Sequence, residues 1–173
     1  MLYLLDANVL MTAHNLYYPL DQVPEYWDWL IHMGCQNRIK VPFEIFEEFK
    51  DGPSNLEKDL LFAWIQEDAN KKALLLAEDV ELDIVQRVVS NGYAPDLTDD
   101  EIEQIGRDPF LIAYALVNNE RCVVTAETSA PKKVRQNRRI PDVCKTLGAR
   151  CCNPFELNRT LGFRTQWKVD IER

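Results

Sequence analysis

Short apolar runs alternate along this chain with longer stretches of helical periodicity. Leu2–Leu5 and residues 122–125 are almost wholly apolar, which is typical of strands buried on both faces of a parallel sheet. Shorter strands are predicted at residues 38–41 and Arg150–Cys152. Strands that alternate with helices favour a central parallel sheet with helices on both faces, so the pattern predicts an α/β fold.

Between the strands, apolar residues recur at intervals of three and four and predict amphipathic helices. The helices are predicted at residues 9–18, 24–34, 42–49, 56–65, 98–106, 108–118, 141–147 and 154–161, with one or two more within 71–91. A turn is predicted at Asn91-Gly92, and a capping box from Thr98 to Glu101. Ile102 and Ile105 are expected to face inward. Residues 1–161 are predicted to form a single domain, and residues 162–173 a C-terminal tail.

Composition places the chain among ordinary globular proteins. Of its 173 residues, 46% are hydrophobic and 28% charged. No basic segment precedes the first strand, so we expect no signal peptide. No apolar run approaches the ~20 residues that span a bilayer, so we expect no membrane segment. Five cysteines without a Cys-x-x-Cys pair indicate reduced thiols, a cytoplasmic location and no zinc site.

The formal charge of −8 is unevenly distributed along the chain. Residues 127–150 contain seven basic and two acidic side chains, a charge of +5, which leaves −13 on the rest. This asymmetry predicts a basic loop beside an acidic body. The loop could bind a nucleic-acid backbone, or it could be solvated without a partner. The candidate RNA-binding residues are Lys132, Lys133, Arg135, Arg138 and Arg139.

Carboxylates follow the two strongest predicted strands. Asp6 comes directly after the first strand, and Glu127 comes two residues after Thr125 at the end of the other. The carboxyl ends of parallel strands lie at one edge of a sheet, so these two acids should share a cleft. Asp108, before a helix, and Glu47 or Glu48, on the helix 42–49, could reach it.

Several acids in one pocket repel unless a cation compensates them. An all-oxygen ligand set suits Mg²⁺ or Mn²⁺, and one or two such ions would support hydrolysis of a phosphodiester. Each acid also has a simpler explanation. Asp6 and Asp108 are good N-caps, Glu47 and Glu48 could be surface residues, and Glu127 could begin a loop. Helical periodicity does not distinguish Glu47 from Glu48.

Four segments together resemble the motifs of PIN-domain nucleases, and are similar to the VapC-type toxins of toxin–antitoxin pairs. They are residues 3–10, 41–49, 108–113 and 123–127. The segment Ile140-Pro141-Asp142-Val143-Cys144, with Trp27, is similar to a less-studied branch of that family. The resemblance implies a three-layer α/β/α sandwich around a parallel sheet.

The resemblance also implies roles for individual residues. The metal-binding acids would be Asp6, Glu48, Asp108 and Glu127, with Glu48 chosen over Glu47 because a large apolar residue follows it. Asn8 and Thr125 would orient water or ligands. The fourth acid is usually Asp in the family, so Glu127 departs from the pattern. The implied partners are an RNA substrate, a cognate antitoxin and a second copy of the chain.

Two other functions are compatible with parts of the sequence. In a haloacid-dehalogenase-like phosphatase, Asp6 would be the nucleophile and Thr125 would end a later strand. That chemistry needs a second Asp where this chain has Asn8. The other alternative is a PIN-like module that binds RNA or protein without cutting. The presence of all four expected acids argues against this alternative.

Overall fold

Four parallel strands form the sheet at the centre of the protein. A computed structural model describes residues 1–51 and 60–171. The strands are β1 (Leu2–Leu5), β2 (Ile39–Lys40), β3 (Arg121–Val124) and β4 (Arg150–Cys152). They lie in the order β2-β1-β3-β4, and every pairing is parallel. Each of the four strands overlaps a segment predicted to contain one.

Both faces of the sheet are covered by helices. Consecutive side chains of a strand point to opposite faces, yet Leu4 and Leu5 of β1 are both fully buried. The same holds for Val123 and Val124 of β3. The protein is therefore an α/β protein with three layers, as the sequence predicts.

The register of β1 and β3 determines what meets at the edge of the sheet. Leu5 is paired with Val124, so the two central strands end at the same level. The backbone N–H of Asp6 donates to the carbonyl of Val124 (2.9 Å), and that of Thr125 donates to Cys152 (3.2 Å). These bonds hold Asp6 and Thr125 side by side just beyond the strands.

The helices occupy most of the remaining described chain. The α-helices are α1 (Ala7–Thr12), α2 (Pro24–Cys35), α3 (Phe43–Asp51), α4 (Leu60–Gln66), α5 (Asp68–Leu74), α6 (Leu82–Arg87), α7 (Asp99–Ile105), α8 (Asp108–Leu116), α9 (Ile140–Leu147), α10 (Pro154–Thr160) and α11 (Trp167–Ile171). Two π-helical segments, Ala13–Tyr17 and Val88–Tyr93, continue α1 and α6, and Arg135–Asn137 is a 3₁₀ turn. Residues 56–59 of the predicted helix 56–65 lie outside the described residues.

The capping box predicted at the start of α7 is observed, but one of the two residues predicted to face inward is exposed. Glu101 N–H donates to Thr98 Oγ1 (3.3 Å) and Thr98 N–H donates to Glu101 Oε2 (2.9 Å), which completes the capping box. Ile105 is buried, but Ile102 is 46% exposed, so its predicted inward orientation is wrong. A helix of two turns presents only a narrow stripe to the core, and Ile102 lies outside that stripe.

The Asn91-Gly92 turn is also a wrong prediction. Both residues belong to the π-helical segment Val88–Tyr93, and Gly92 is buried. A Cβ atom at Gly92 would lie 2.6 Å from Cγ1 of Val143 in α9. Gly92 is therefore required for close packing between two helical segments. In the sequence, a glycine with this role looks the same as a glycine in a turn.

The segment after Gly162 is not simply a tail. Its helix α11 carries Trp167, which is buried and donates from Nε1 to the carbonyl of Glu25 in α2 (2.9 Å). The ring of Phe163 lies 5.1 Å from that of Tyr26. Two aromatic residues thus attach this short segment to α2. The segment is too short for its apolar residues to form a periodic pattern in the sequence.

Among the described residues, no helix has the length and apolar character needed to cross a membrane.

Candidate active site

Asp6 is buried at the carboxyl end of β1, where the chain turns into α1. It occupies the N-cap position, but its side chain makes no capping hydrogen bond. The Thr125 hydroxyl donates to Asp6 Oδ2 (2.8 Å), and the Asn8 amide donates to the same oxygen. The Asp6 carboxylate is therefore oriented by two polar side chains.

Asn8 and Thr125 also hold the loop that follows β3. The backbone N–H of Ala126 donates to Asn8 Oδ1 (2.8 Å), and that of Glu127 donates to Thr125 Oγ1 (3.2 Å). Thr125 is almost fully buried, so its hydroxyl has little access to water. The two residues join the start of α1 to the end of β3 and keep both acids at one edge of the sheet.

The pKa of Asp6 is raised from 3.8 to about 6. Burial is the largest cause, because desolvation disfavours the charged form. The hydrogen bond from Thr125 opposes the shift, and the charge of Glu127 adds to it. Asp6 therefore lies close enough to a second acid to be repelled by it.

Asp108 connects all four predicted acids. Its pKa is raised to about 8, first by burial and then by the charges of Asp6, Glu127 and Glu48. Arg107, not Asp108, occupies the cap position of α8, and no side chain caps that helix. The acids predicted from distant parts of the sequence therefore act electrostatically on one another.

The choice between Glu47 and Glu48 rests on the same interaction. Glu48, on α3, contributes to the raised pKa of Asp108, and Glu47 is not among the causes of that shift. The charge of Glu48 therefore acts on Asp108, and Glu48 is the residue that the family resemblance selects.

A cation within the protein compensates the charge of Glu127. Arg139 Nη1 donates to Glu127 Oε1 (2.7 Å), and the backbone N–H of Ile140 donates to Oε2 (2.8 Å). Both carboxylate oxygens thus bind the start of α9. Glu127 lies at the site but serves there as an anchor for the loop that leads into α9.

The donor atoms fit a hard divalent cation. The group offers carboxylate oxygens alone, and burial together with repulsion between the acids raises the pKa values of Asp6 and Asp108, which a bound cation would oppose. In the described part of the chain, however, no three His, Cys, Asp or Glu side chains are close enough together to hold an ion. The acids are neighbours that interact by charge without forming a closed ligand cage.

Two of the five predicted RNA-binding residues extend into solvent. Lys132 and Lys133 are exposed, and within residues 1–51 and 60–171 neither side chain forms a hydrogen bond or an ion pair. They follow Pro131, directly after the loop that carries Glu127. Both ammonium groups are thus available to an external anion.

The three predicted arginines are bound within the protein. Arg135 pairs with Asp96 (2.8 Å) and Glu101 (2.6 Å), Arg138 donates to the carbonyl of Gly92 and to Thr146, and Arg139 pairs with Glu127. Their fork-shaped guanidinium groups suit such multiple bonds. These bonds hold the basic loop against the body of the protein.

Two further residues of this region have roles that the sequence does not predict. The Tyr93 hydroxyl donates to Asp108 Oδ2 (3.4 Å), and no sequence signal marks it. Asp142 is buried and accepts from Ser129 Oγ (2.5 Å) and from the N–H of Ala130 (2.7 Å), which shapes the loop after Glu127. Its place in the segment 140–144, which resembles a family motif, is the one sequence signal for it.

A cleft of about 530 Å³ lies beside Glu127, between the ends of β3 and β4. Thr125 and Glu127 line one wall, and Lys145 is the basic residue in the lining. The cleft gives an extended ligand room to approach the strand ends, where ligands of open α/β sheets bind.

The chain was also compared with known proteins. Residues 3–165 match a family described as a domain of unknown function, DUF4411. No curated protein matches the chain.

Proposed function

The chain belongs to the DUF4411 family, and we propose that it is a metal-dependent endoribonuclease of the PIN type. The observation that carries this proposal is the buried Asp6 carboxylate at the end of β1, which accepts hydrogen bonds from Asn8 and from Thr125 at the end of β3. The pKa of Asp108 is raised by burial and then by the charges of Asp6, Glu127 and Glu48, which supports the proposal. Buried carboxylates that repel one another at the edge of a parallel sheet are suited to binding a divalent cation. The resemblance of four motifs to PIN-domain nucleases supplies the reaction class.

Asp6, Glu48 and Asp108 would hold Mg²⁺ or Mn²⁺, as one or two ions. A bound divalent ion supplies charge neutralisation and activation of water for phosphodiester hydrolysis. Glu127 lies beside these ligands, but its bonds to Arg139 and Ile140 make it a support for the site.

Neutral polar residues orient the carboxylates of the proposed site through hydrogen bonds. Asn8 and Thr125 fix the Asp6 carboxylate, so one ligand is oriented before substrate arrives. The Tyr93 hydroxyl does the same for Asp108. Lys132 and Lys133 are placed to attract the RNA backbone, whose charge dominates nucleic-acid affinity.

The similarity to VapC-type toxins also suggests a cellular role and partners for the enzyme. The enzyme would act in the cytoplasm as the toxin of a toxin–antitoxin pair, restrained by a cognate antitoxin, and would form homodimers. These partners rest on the resemblance alone, whereas the proposed metal site rests on the acids as well.

The decisive experiment is digestion of total RNA by the purified protein with Mg²⁺ or Mn²⁺, beside Asp6→Asn and with the cut ends mapped. Asp6→Asn should lower metal-stimulated cleavage by about 100-fold or more, because several kcal/mol of charge stabilisation is removed. Asp21→Asn, at an exposed carboxylate, serves as the matched control and should cleave as the wild type does.

The alternatives predict different results. Cleavage that persists in Asp6→Asn or after chelation would refute the nuclease. RNA that is bound but keeps its length, even with Mn²⁺, would indicate a non-catalytic module. A phosphorylated Asp6 trapped with a phosphomonoester would indicate the phosphatase.

A further inference from the structure

A second, smaller cavity shares Glu127 with that cleft and is lined in part by α10. It has a volume of about 290 Å³ and lies between the π-helical segment Ala13–Tyr17 and the start of α10. Ala126 and Glu127 form its boundary with the candidate active site. The loop that Asn8 and Thr125 hold in place therefore forms part of the cavity wall.

Two aromatic side chains flank this cavity and remain open to solvent. Tyr17 is 49% exposed and Phe155 is 43% exposed, and their rings meet edge to face with centroids 5.0 Å apart. Both belong to the cavity lining. Exposed rings beside a cavity provide faces on which a planar ligand stacks.

Asn158 supplies an unused hydrogen-bond acceptor in the lining. Its side chain is 7% exposed, and Oδ1 has no hydrogen-bond partner in the described part of the chain. The same side chain lowers the pKa of the neighbouring Tyr26 phenol through a hydrogen bond, although burial raises that pKa overall. A buried acceptor without a partner is costly, so the cavity favours a ligand that brings an N–H group.

We propose that this cavity binds one nucleobase of single-stranded RNA, next to the phosphate that is cut. Every nucleobase has flat faces for stacking on Tyr17 and Phe155, and an N–H on its Watson–Crick edge for Asn158 Oδ1. Ligand pockets measure about 300–1,000 Å³, so a cavity of about 290 Å³ suits a single base rather than a longer segment. This inference rests on the proposed ribonuclease function and adds a base-binding pocket beside the cut.

Charge in the lining is compatible with a nucleotide. Glu127 is the charged residue among the lining residues, and its carboxylate is compensated by Arg139. The remaining lining residues are aromatic, aliphatic or neutral polar. A sugar and phosphate could therefore pass from the cavity toward Asp6 without meeting an uncompensated carboxylate in the lining.

The test measures binding in EDTA, so it does not depend on cleavage. The probes are AMP, CMP, GMP and UMP, followed by ligand-detected NMR, and a fluorescent single-stranded hexaribonucleotide, followed by anisotropy. Tyr17→Ala and Phe155→Ala should each weaken hexanucleotide binding by about 10-fold, the effect expected for one stacked base. Leu16→Ala is the matched control, because Leu16 is 70% exposed beside Tyr17 but is absent from the lining.

Asn158→Leu tests the hydrogen bond separately. If near-ultraviolet circular dichroism shows a native fold, this variant should bind the four mononucleotides about 5-fold more weakly than the wild type does, because each base loses the same hydrogen bond. Tyr17→Ala and Phe155→Ala alter exposed residues, so the stacking test stands even if Asn158→Leu does not fold.

The outcomes separate this pocket from the proposed function. Weakened binding in the two aromatic variants supports the pocket even if the wild type cleaves no RNA, a result that would refute only the nuclease. Metal-dependent cleavage by the wild type, with binding unchanged in both variants, refutes the pocket and leaves the nuclease. Absence of any nucleotide or hexanucleotide binding by the wild type also refutes the pocket.

Discussion

At the residue scale, the site is governed by the cost of burying carboxylates. Asp6 and Asp108 have raised pKa values because each is desolvated and each is repelled by other acids. Thr125 and Asn8 donate to Asp6, and Tyr93 donates to Asp108, but these donors are neutral. The folded protein therefore retains electrostatic strain that a proton or a cation relieves.

The strain at Asp108 makes metal-free stability fall with rising pH. Its folded pKa of about 8 lies above the ordinary value of 3.8, so the folded state binds this proton more tightly than the unfolded state. The contribution of this proton to stability is complete below about pH 4 and disappears as the pH rises toward 8. Asp108→Asn should be more stable than the wild type at pH 7.5 by about 2 kcal/mol or more, and similar to it at pH 4.5.

Urea denaturation in EDTA at the two pH values measures this difference, with Asp21→Asn as the control. Adding Mg²⁺ at pH 7.5 should stabilise the wild type and leave Asp108→Asn nearly unchanged. A wild type whose stability relative to Asp108→Asn does not change between the two pH values would contradict the prediction.

Substitution of Thr125 tests whether its hydroxyl stabilises the Asp6 carboxylate. Thr125→Val removes a buried hydroxyl that donates to Asp6 and accepts from Glu127 N–H. The pKa of Asp6 should rise further, because the hydrogen bond from Thr125 lowers it, and stability at pH 7 should fall by about 1–3 kcal/mol. Carboxyl-carbon NMR titration and urea denaturation measure the two effects. Thr125→Ser, which keeps the hydroxyl, should recover most of the Asp6 titration; equal shifts in both variants would contradict this account.

At the element scale, the ends of secondary structure place the chemistry. β1 and β3 end in register, α1 starts directly after Asp6, and α8 begins with Asp108. Asp108 lies on α8 and Glu127 lies in the loop after β3, whereas Tyr93 belongs to the π-helical segment that follows α6. The site therefore depends on packing between segments as much as on the strands.

Packing of that π-helical segment on α9 can be tested at Gly92. Gly92→Ala places a Cβ atom 2.6 Å from Cγ1 of Val143, a stiff β-branched side chain. We expect a decrease of about 1–3 kcal/mol in the free energy of unfolding, measured by urea denaturation. Combined with Val143→Ala, the cost of Gly92→Ala should shrink, because the colliding methyl group is gone. Additive costs in the double variant would show that this collision is not the cause.

At the scale of the whole molecule, charge is divided between an acidic body and a basic loop. Residues 127–150 carry +5 in a chain of −8. The arginines predicted to bind RNA instead form internal bonds that attach the loop to the body, such as Arg135 with Glu101 and Arg139 with Glu127. The lysines are left to attract a polyanion. The distinction matters because an arginine variant would alter the fold and RNA binding together.

The lysines therefore give the cleaner test of the RNA-binding loop. Lys132→Ala with Lys133→Ala should weaken RNA binding, and the slope of log affinity against log salt should decrease by about 0.7 for each phosphate that the variant no longer neutralises. Stability should not change. Fluorescence anisotropy at several salt concentrations measures the slope. Lys72→Ala, at another exposed lysine, is the control, and equal slopes for all three proteins would contradict the role of the loop.

Much of this arrangement was predictable from local patterns. The runs at Leu2–Leu5 and Arg150–Cys152 have the bounds the sequence indicates, and the capping box at Thr98 is observed. The predictions at Gly92 and Ile102 were wrong because their roles depend on neighbours distant in the chain or on the length of a helix. The role of Trp167 was not predictable because its partner, Glu25, lies more than a hundred positions away.

The sequence by itself determined the parallel sheet and which acids stand at its strand and helix ends, because apolar runs and helix caps are read from neighbouring residues. Only the tertiary structure decided how those acids are used. It pairs Glu127 with Arg139, brings Tyr93 to Asp108, and opens a cavity at Asn158. These interactions join residues far apart in the chain, and their energies depend on burial and distance, which no local pattern encodes.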